Sequence, residues 1–296
     1  MDIVMLGHSQ AGKTSYMAAM YDTMVAGVGG FTVKAERPED HRALIRNARR
    51  LQAGTFPAAS DRRTIYQLGL LHEGSPVLDF VWRDYRGGAL TEKSDSPQAI
   101  QLREDVAKAG GLVLMIDSTE LIGGLRSMAR VRPLVATAIR LLGERRDVLP
   151  LVIALTKWDL VRATEAKTQR AADEAFGSLI AAVRGDQHVL GALVPVACGR
   201  QPLNVVQPVL WCLHVGIAVR GILLQQSIER QEQAARAAHS RDTLWDRVKS
   251  KFTGEPTWAE IAVNNMVGAY EDAQRLQPLI IPSQRLESML DSVEKF

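Results

Sequence analysis

Cysteine is nearly missing from this chain: Cys198 and Cys212 are its only two in 296 residues. That number cannot build a disulfide framework, and a reducing cytoplasm is the expected setting. No excess of one charge is present either. Lys and Arg total 36 against 33 Asp and Glu, a net of +3. A nucleic-acid-binding protein would carry a clustered basic surplus, so no nucleic-acid partner is expected. Residues 1–6 lack the positive stretch of a secretory signal, and none is expected there. No apolar run is both long and clean enough to read as a membrane span. The nearest, 205–224, contains Pro208, His214 and Arg220, and an Arg near the centre of a span is costly in lipid. A buried core helix is expected there, and stable membrane insertion is not. Internal repeats and low-complexity tracts are also absent. What remains is an ordinary globular composition, 46% apolar and 23% charged. The length suits one large core, or one core with a smaller helical appendage.

Apolar runs alternate with longer helical patterns, which predicts βα units around a mostly parallel sheet. A first strand is expected over 2–6 and a helix from 13 to about 24. Residues 38–52 read as an additional helix, with Leu44, Ile45 and Leu51 on one side and many Arg on the other. Strands over 64–71 and 77–82 are joined by Glu73-Gly74-Ser75-Pro76, a hairpin signal. A helix is expected over 97–109. Leu112, Val113, Leu114, Met115 and Ile116 form an uninterrupted apolar strand, as central parallel strands do. Strands over 150–155 and 189–196 alternate with helices over 125–146, whose outer face is basic, and 166–184. Beyond Gly199 no further strand is expected. A long helix over about 203–230 continues as a polar stretch to 240, and a separate short helix covers 241–252. Thr257 and Glu260 form a capping box for a helix through Leu276. Pro278 and Pro282 are expected to break it before a short final helix.

Gly7-His8-Ser9-Gln10-Ala11-Gly12-Lys13-Thr14 fits G-x-x-x-x-G-K-[ST] without a mismatch, with a strand before it and a helix after. The glycines let the backbone wrap so that its N–H groups point at phosphate oxygens. Lys13 would neutralise the β- and γ-phosphates, and the Thr14 hydroxyl would reach Mg²⁺. Ser15 belongs to the same phosphate-binding segment. Gln10 is placed to touch a phosphate or a further cation, or to stand as an exposed loop amide. His8 reads as a loop residue without a catalytic role. Such a loop alone does not separate an ATPase from a GTPase.

Three more segments follow in order. Residues 79–87 read as a strand ending in Asp84-Tyr85-Arg86-Gly87. Thr156-Lys157-Trp158-Asp159 follows the apolar strand 151–155, and Val196-Ala197-Cys198 ends the next strand. Together with the phosphate loop and Thr64, this ordered set resembles TRAFAC-class P-loop GTPases over residues 1–200. The extra helix before Thr64 and the helical C-terminal third make the chain look most like the bacterial double-GTPase (DO-GTPase) families.

The resemblance implies a three-layer α/β/α P-loop NTPase fold with a mostly parallel sheet and a helical C-terminal extension. It implies a GTPase domain over 1–200 and the extension over 201–296, whose first helix packs on the GTPase core. GTP or GDP with Mg²⁺ would be the cofactors. Asp159 would accept from the guanine N1 and N2 hydrogens, a donor pair that adenine lacks. Lys157 would lie along the base, Thr156 stands where most relatives have Asn, and the backbone N–H of Ala197, beside Cys198, would meet the guanine O6. Asp84 would hold Mg²⁺ through water and the Gly87 N–H would sense the γ-phosphate. Thr64 fits best as the loop Thr that completes the Mg²⁺ and γ-phosphate contacts, with Thr55 and Ser60 as rivals. Arg62 and Arg63 precede it, either as a built-in arginine finger, with Arg63 the catalytic candidate, or as a solvated basic loop. Gly88 stands where the water-orienting Gln often is, which implies slow hydrolysis, another residue, or an activating partner. The expected role is a molecular switch read by an unidentified protein partner. The alternatives are a nucleotide-binding module with little turnover, an ATPase, and a membrane-surface scaffold using Leu244, Trp245, Val248 and Phe252.

Overall fold

The computed structural model describes residues 1–57, 63–85, 96–123, 125–143, 145–241 and 256–296. Four strands form the parallel centre of the sheet: β1 (Asp2–Gly7), β5 (Gly111–Asp117), β6 (Leu149–Thr156) and β7 (Val189–Pro195). Their near-continuous apolar sequences are buried on both faces, as parallel strands covered by helices require. Each such Val, Leu or Ile contributes roughly 1.5–3 kcal/mol on leaving water. The helices α1 (Lys13–Ala26), α2 (Pro38–Gln52), α3 (Pro97–Lys108), α4 (Ser118–Ile122), α5 (Leu125–Gly143), α6 (Trp158–Val161) and α7 (Glu165–Arg184) connect the strands. Leu102, Val106, Val131, Leu134, Phe176 and Leu179 of α3, α5 and α7 share one core with Leu112, Leu114, Leu151 and Ile153 of the sheet. Tyr16 of α1 packs against Trp82, ring centroids 5.8 Å apart, in a separate contact.

The remaining strands are β2 (Phe31–Ala35), β3 (Thr64–His72) and β4 (Ser75–Asp84), with a two-residue β8 (Glu294–Lys295). The sheet order is β2-β3-β4-β1-β5-β6-β7-β8. β3 pairs antiparallel with β2 and β4, β4 runs parallel to β1, and β8 is antiparallel to β7. The β3–β4 turn is tighter than the sequence signal: Glu73 and Gly74 alone make it, at φ 49° and 80°. Two positive values in succession match the strand twist of a two-residue hairpin.

Three expectations are corrected here. β2 was not expected, although Phe31, Val33 and Ala35 alternate inward along it. β8 is a further strand beyond Gly199, fixed by reciprocal backbone bonds of 3.0 Å between Gly191 and Phe296. A Cβ on Gly191 would stand 2.2 Å from the Phe296 ring, so this strand pair requires glycine there. The expected basic helix 125–146 ends at Gly143. Arg145 turns back instead, and its guanidinium donates to the carbonyls of Val106, Ala107 and Ala109, closing the end of α3.

Beyond the sheet run α8 (Gln207–Arg241) and α9 (Trp258–Met289). The chain forms two compact units, Met1–Gly216 with Leu286–Phe296, and Ile217–Arg285. In the first, Val209, Leu210, Cys212 and Leu213 are buried, and Cys212 lies against Gly111 of β5. In the second, α8 and α9 run antiparallel, with Gly221 meeting Leu276 and Gly268 meeting Gln231. The capping box forms as expected: Thr257 N–H donates to Glu260 at 2.8 Å, and Glu260 N–H donates to the Thr257 hydroxyl at 3.1 Å. Pro278 and Pro282 do not break α9, which continues to Met289. α8 is long and apolar enough to cross a membrane, and 44% of its apolar window is buried within the protein. The expected helix over 241–252 lies outside the described residues apart from Arg241.

Candidate functional site

Sheet order decides where the motifs meet. β4, β1, β5 and β6 are neighbours, and they bring Asp84, Gly7, Asp117 and Thr156 to one edge at their carboxyl ends. In open α/β sheets that edge, where connections diverge, is where ligands bind. A cleft of about 410 Å³ lies there. It is lined by Ser9, Gln10, Gly12, Lys13, Thr14 and Ser15 of the phosphate loop. Asp84 and Tyr85 face it from the end of β4, Thr156 and Lys157 from the end of β6, Asp159 and Leu160 from α6, Cys198 and Gly199 from the loop after β7, and Phe56 and Pro57 from behind α2.

The phosphate loop takes its wrapped form from two left-handed residues, Gln10 at φ 68° and Gly12 at φ 85°. Gly7 is required for a different reason: a Cβ there would stand 2.6 Å from the Met115 carbonyl of β5. Ala11 is buried behind the loop. The first turn of α1 carries no acidic residue and no side-chain cap, so its N–H groups and dipole favour an anion. Lys13 Nζ donates to the carbonyls of Gly7 and His8 at 2.9 and 3.1 Å. Burial lowers its pKa, which the charge of Asp84 partly offsets.

Asp84 is only 4% exposed, and its Oδ1 has no hydrogen-bond partner. Burial pushes its pKa up to about 7, against the pull of Lys13. A buried, unsatisfied carboxylate oxygen costs about 1–3 kcal/mol or more. A hard cation is the partner that such an oxygen, together with the Thr14 hydroxyl of the same cleft, would suit. The residues present therefore fit Mg²⁺.

On the opposite side, Thr156 does more than replace Asn. Its hydroxyl lies 2.9 Å from the Ala11 carbonyl and 3.0 Å from the Ile116 carbonyl, joining β6 to the phosphate loop and to β5. Lys157 sits at φ 56°, and its ammonium pairs with Asp117. Asp117 also accepts from the Thr119 N–H at 3.0 Å and so caps α4. Asp159 is exposed into the cleft with Gly199 beside it, 3.9 Å from its Oδ2 to the position of a Cβ. Burial pushes the Cys198 thiol up to about 12, aided by the charge of Asp159.

Other candidates are placed differently. Ala197 is buried, and its N–H already donates to Leu203 at 3.1 Å, so Cys198 and Gly199 are the residues of that loop that face the cleft. Thr64 pairs with Asp84 across β3 and β4 but does not line the cleft. Thr55 is held by its N–H on Arg50, at the end of α2. Arg63 forms an ion pair with Asp105 of α3 and lies 5.2 Å above the Tyr85 ring, whose hydroxyl also donates to Asp105. That guanidinium is engaged with α3, which does not match a finger reaching the phosphates. His8 contacts the Arg130 carbonyl. Gly87 and Gly88, with Ser60 and Arg62, lie outside the described residues.

Two features escaped the sequence reading. Asp117 carries a signal at the end of its apolar strand, before Ser118 and Thr119, where a helix cap is common. Phe56, 61% exposed, and Leu160, 68% exposed, are large apolar side chains at the cleft. Phe56 lay in a stretch that read only as a loop, and no residue spacing pointed to it.

The sequence model of the family described as Double-GTPase 2 matches residues 3–188. No curated protein sequence matches the chain. Among solved structures the chain is similar to a GTP-binding protein from the hyperthermophilic archaeon Sulfolobus solfataricus in complex with GDP. Identity is 14%, with 73% of this chain and 52% of that one covered and a TM-score of 0.38, so the chain spans about half that protein's length. A second is an ADP-ribosylation-factor-like GTP-binding protein, or small COPII coat GTPase, from Encephalitozoon cuniculi in complex with GDP. It shows 14% identity, 67% and 69% coverage and a TM-score of 0.33. A third is a bacterial selenocysteine-specific elongation factor, at 17% identity, 67% and 25% coverage and a TM-score of 0.32.

Proposed function

The chain belongs to the Double-GTPase 2 family, and we propose that it binds GTP with Mg²⁺, hydrolyses it, and signals the nucleotide state to a protein partner. One observation carries this reading: a single cleft is lined by Lys13, Thr14 and Asp84 and also by Asp159. Lys13 would exchange its carbonyl partners for the β- and γ-phosphates. Thr14 and Asp84 would hold Mg²⁺, which neutralises charge developing on the phosphoryl oxygens. Asp159 would accept the paired N–H groups of guanine, while Phe56, Leu160 and the Lys157 stem supply apolar walls for the base. With adenine the Asp159 carboxylate would lose both donors and be desolvated without return, which is the source of selectivity. A cytoplasmic location fits the cysteine content and is part of the same proposal.

The test is competition for bound, labelled GDP. GTP should displace it at roughly hundredfold lower concentration than ATP, a scale set by the cost of about 1–3 kcal/mol for a polar group desolvated without its partner. Asp159→Asn should shrink that preference. Equal displacement by ATP would remove the guanine assignment.

A second reading keeps binding and reduces hydrolysis. Gly88 provides no amide to orient water, and Arg63 is held by Asp105. Single-turnover hydrolysis by the purified chain decides between the two readings.

A further inference from the structure

Lys157 and Asp159 line the same cleft on either side of a fixed residue. Trp158 between them is buried, and its N–H donates to the Val196 carbonyl at 3.1 Å, so the start of α6 is held against the end of β7. An exposed carboxylate two residues from an ammonium on a flexible four-carbon stem is a ready partner for it. The Lys157 ammonium nevertheless pairs with Asp117, and among the described residues Asp159 forms no ion pair.

Three features hold the ammonium there. Asp117 stands beside Thr156 in the β5–β6 register, next to the point where Lys157 leaves the strand. Its carboxylate is fixed in rotation: Oδ1 accepts from the Thr119 N–H at 3.0 Å and from the Thr119 hydroxyl at 2.7 Å, which leaves Oδ2 to Lys157. Asp117 is also buried whereas Asp159 is exposed, so water screens the Lys157–Asp117 pair less than it would a Lys157–Asp159 pair. Glu120, further along α4, does not compete, because it is paired with Arg130 at 3.0 Å.

We infer that Asp117 is a positioning residue for base selection: by holding the Lys157 ammonium, it keeps the Asp159 carboxylate open to the paired N–H groups of guanine. This inference rests on the reading of Asp159 as the guanine acceptor. Without the Asp117 charge, the ammonium is free to swing to Asp159. A carboxylate already paired gains less from the guanine donors, and it loses less when adenine fails to supply them. Selectivity falls on both counts, while the phosphate grip of Lys13 is untouched.

The test reads the ratio of ATP to GTP concentrations that displace labelled GDP from the full chain. Asp117→Asn keeps an oxygen for the Thr119 cap and removes the charge. The ratio should shrink by about fivefold, the upper range for a solvent-accessible ion pair. Asp117→Ser places another good capping residue at the start of α4 and should shrink the ratio likewise, so the result does not hang on the folding of one variant. Adding Lys157→Met to Asp117→Asn should bring the ratio back, because the apolar stem remains and no ammonium is left to cover Asp159. A residue that only supported α4 would gain no such rescue. An unchanged ratio in both Asp117 variants, or a shrunken ratio that Lys157→Met leaves shrunken, overturns the proposal while the guanine preference of the wild type stands. A wild-type chain that takes ATP as readily as GTP overturns the reading of Asp159 itself, and this proposal with it.

Discussion

Asp84 is the residue whose chemistry is most exposed to test. Its carboxyl is buried without a partner for Oδ1, and its pKa rises to about 7. In the unfolded chain an Asp titrates near 3.9. Between those values the native state holds a proton that the unfolded state has released, so folding stability falls as pH rises. The loss is complete above about pH 7. Asp84→Asn cannot ionise and should lack this loss. In the nucleotide-free protein without added Mg²⁺, the stability of the variant relative to wild type should therefore grow from pH 5 to 7 and level off above. The slope should be at most about 1.4 kcal/mol per pH unit. Urea unfolding at several pH values measures it, and a flat difference would mean that Asp84 is solvated in the native state. Asp84, Lys13 and Asp159 were legible in the sequence because each sits at a fixed offset from a strand end, where backbone geometry leaves little choice. Asp117 and Phe56 were not, since their roles depend on which strands and loops become neighbours. The role expected for the Ala197 N–H could not survive the backbone pairing with Leu203, which no side-chain pattern announces.

Elements were easiest to read where burial and periodicity agreed. The parallel strands are apolar throughout because helices cover both faces, and α1, α2, α3 and α7 begin and end within a few residues of expectation. β2 is short, and its alternation over five residues is a weak signal beside the Gly29-Gly30 turn. β8 has no local signal at all, because two residues become a strand only through β7. Pro278 and Pro282 mislead for an opposite reason. A proline breaks an isolated helix by losing one hydrogen bond and crowding the previous turn, at about 3 kcal/mol, but Leu279 between the two prolines and Leu286 after them are buried and hold α9 in tertiary packing. Arg63 shows how a candidate catalytic residue becomes a tie between elements. It joins the start of β3 to Asp105 of α3, with Tyr85 closing the group. Arg63→Ala should lower stability by about 1–2 kcal/mol, discounted from a fully buried pair because the guanidinium is partly exposed. Single-turnover GTP hydrolysis per bound nucleotide should change less than tenfold. A loss nearer a thousandfold, with stability unchanged, would restore the arginine-finger assignment.

The whole molecule divides its apolar surface between two units of different construction. The first buries a sheet between helices and contains every residue that lines the cleft. The second is a helical hairpin in which Ala235, Ala238, Ala262 and Ala269 are buried, and Gly268 lies against Gln231 of the facing helix. The lysine and the carboxylate facing the cleft are both desolvated, Lys13 with a lowered pKa and Asp84 with a raised one. Such a site is stabilised by whatever supplies the missing charges. A nucleotide bound only by the native state adds RT ln(1 + [L]/Kd), or about 2.7 kcal/mol at one hundred times Kd. GDP with Mg²⁺ at that excess should raise the melting temperature by several degrees, whereas ATP at equal concentration should raise it far less if Asp159 selects guanine. Omitting Mg²⁺ should shrink the GTP effect more in wild type than in Asp84→Asn, because only the wild-type carboxylate has a cation to gain. Calorimetric melting with each nucleotide, with and without Mg²⁺, reads all of these together. Equal stabilisation by ATP would detach Asp159 from base recognition while leaving the phosphate grip of Lys13 intact.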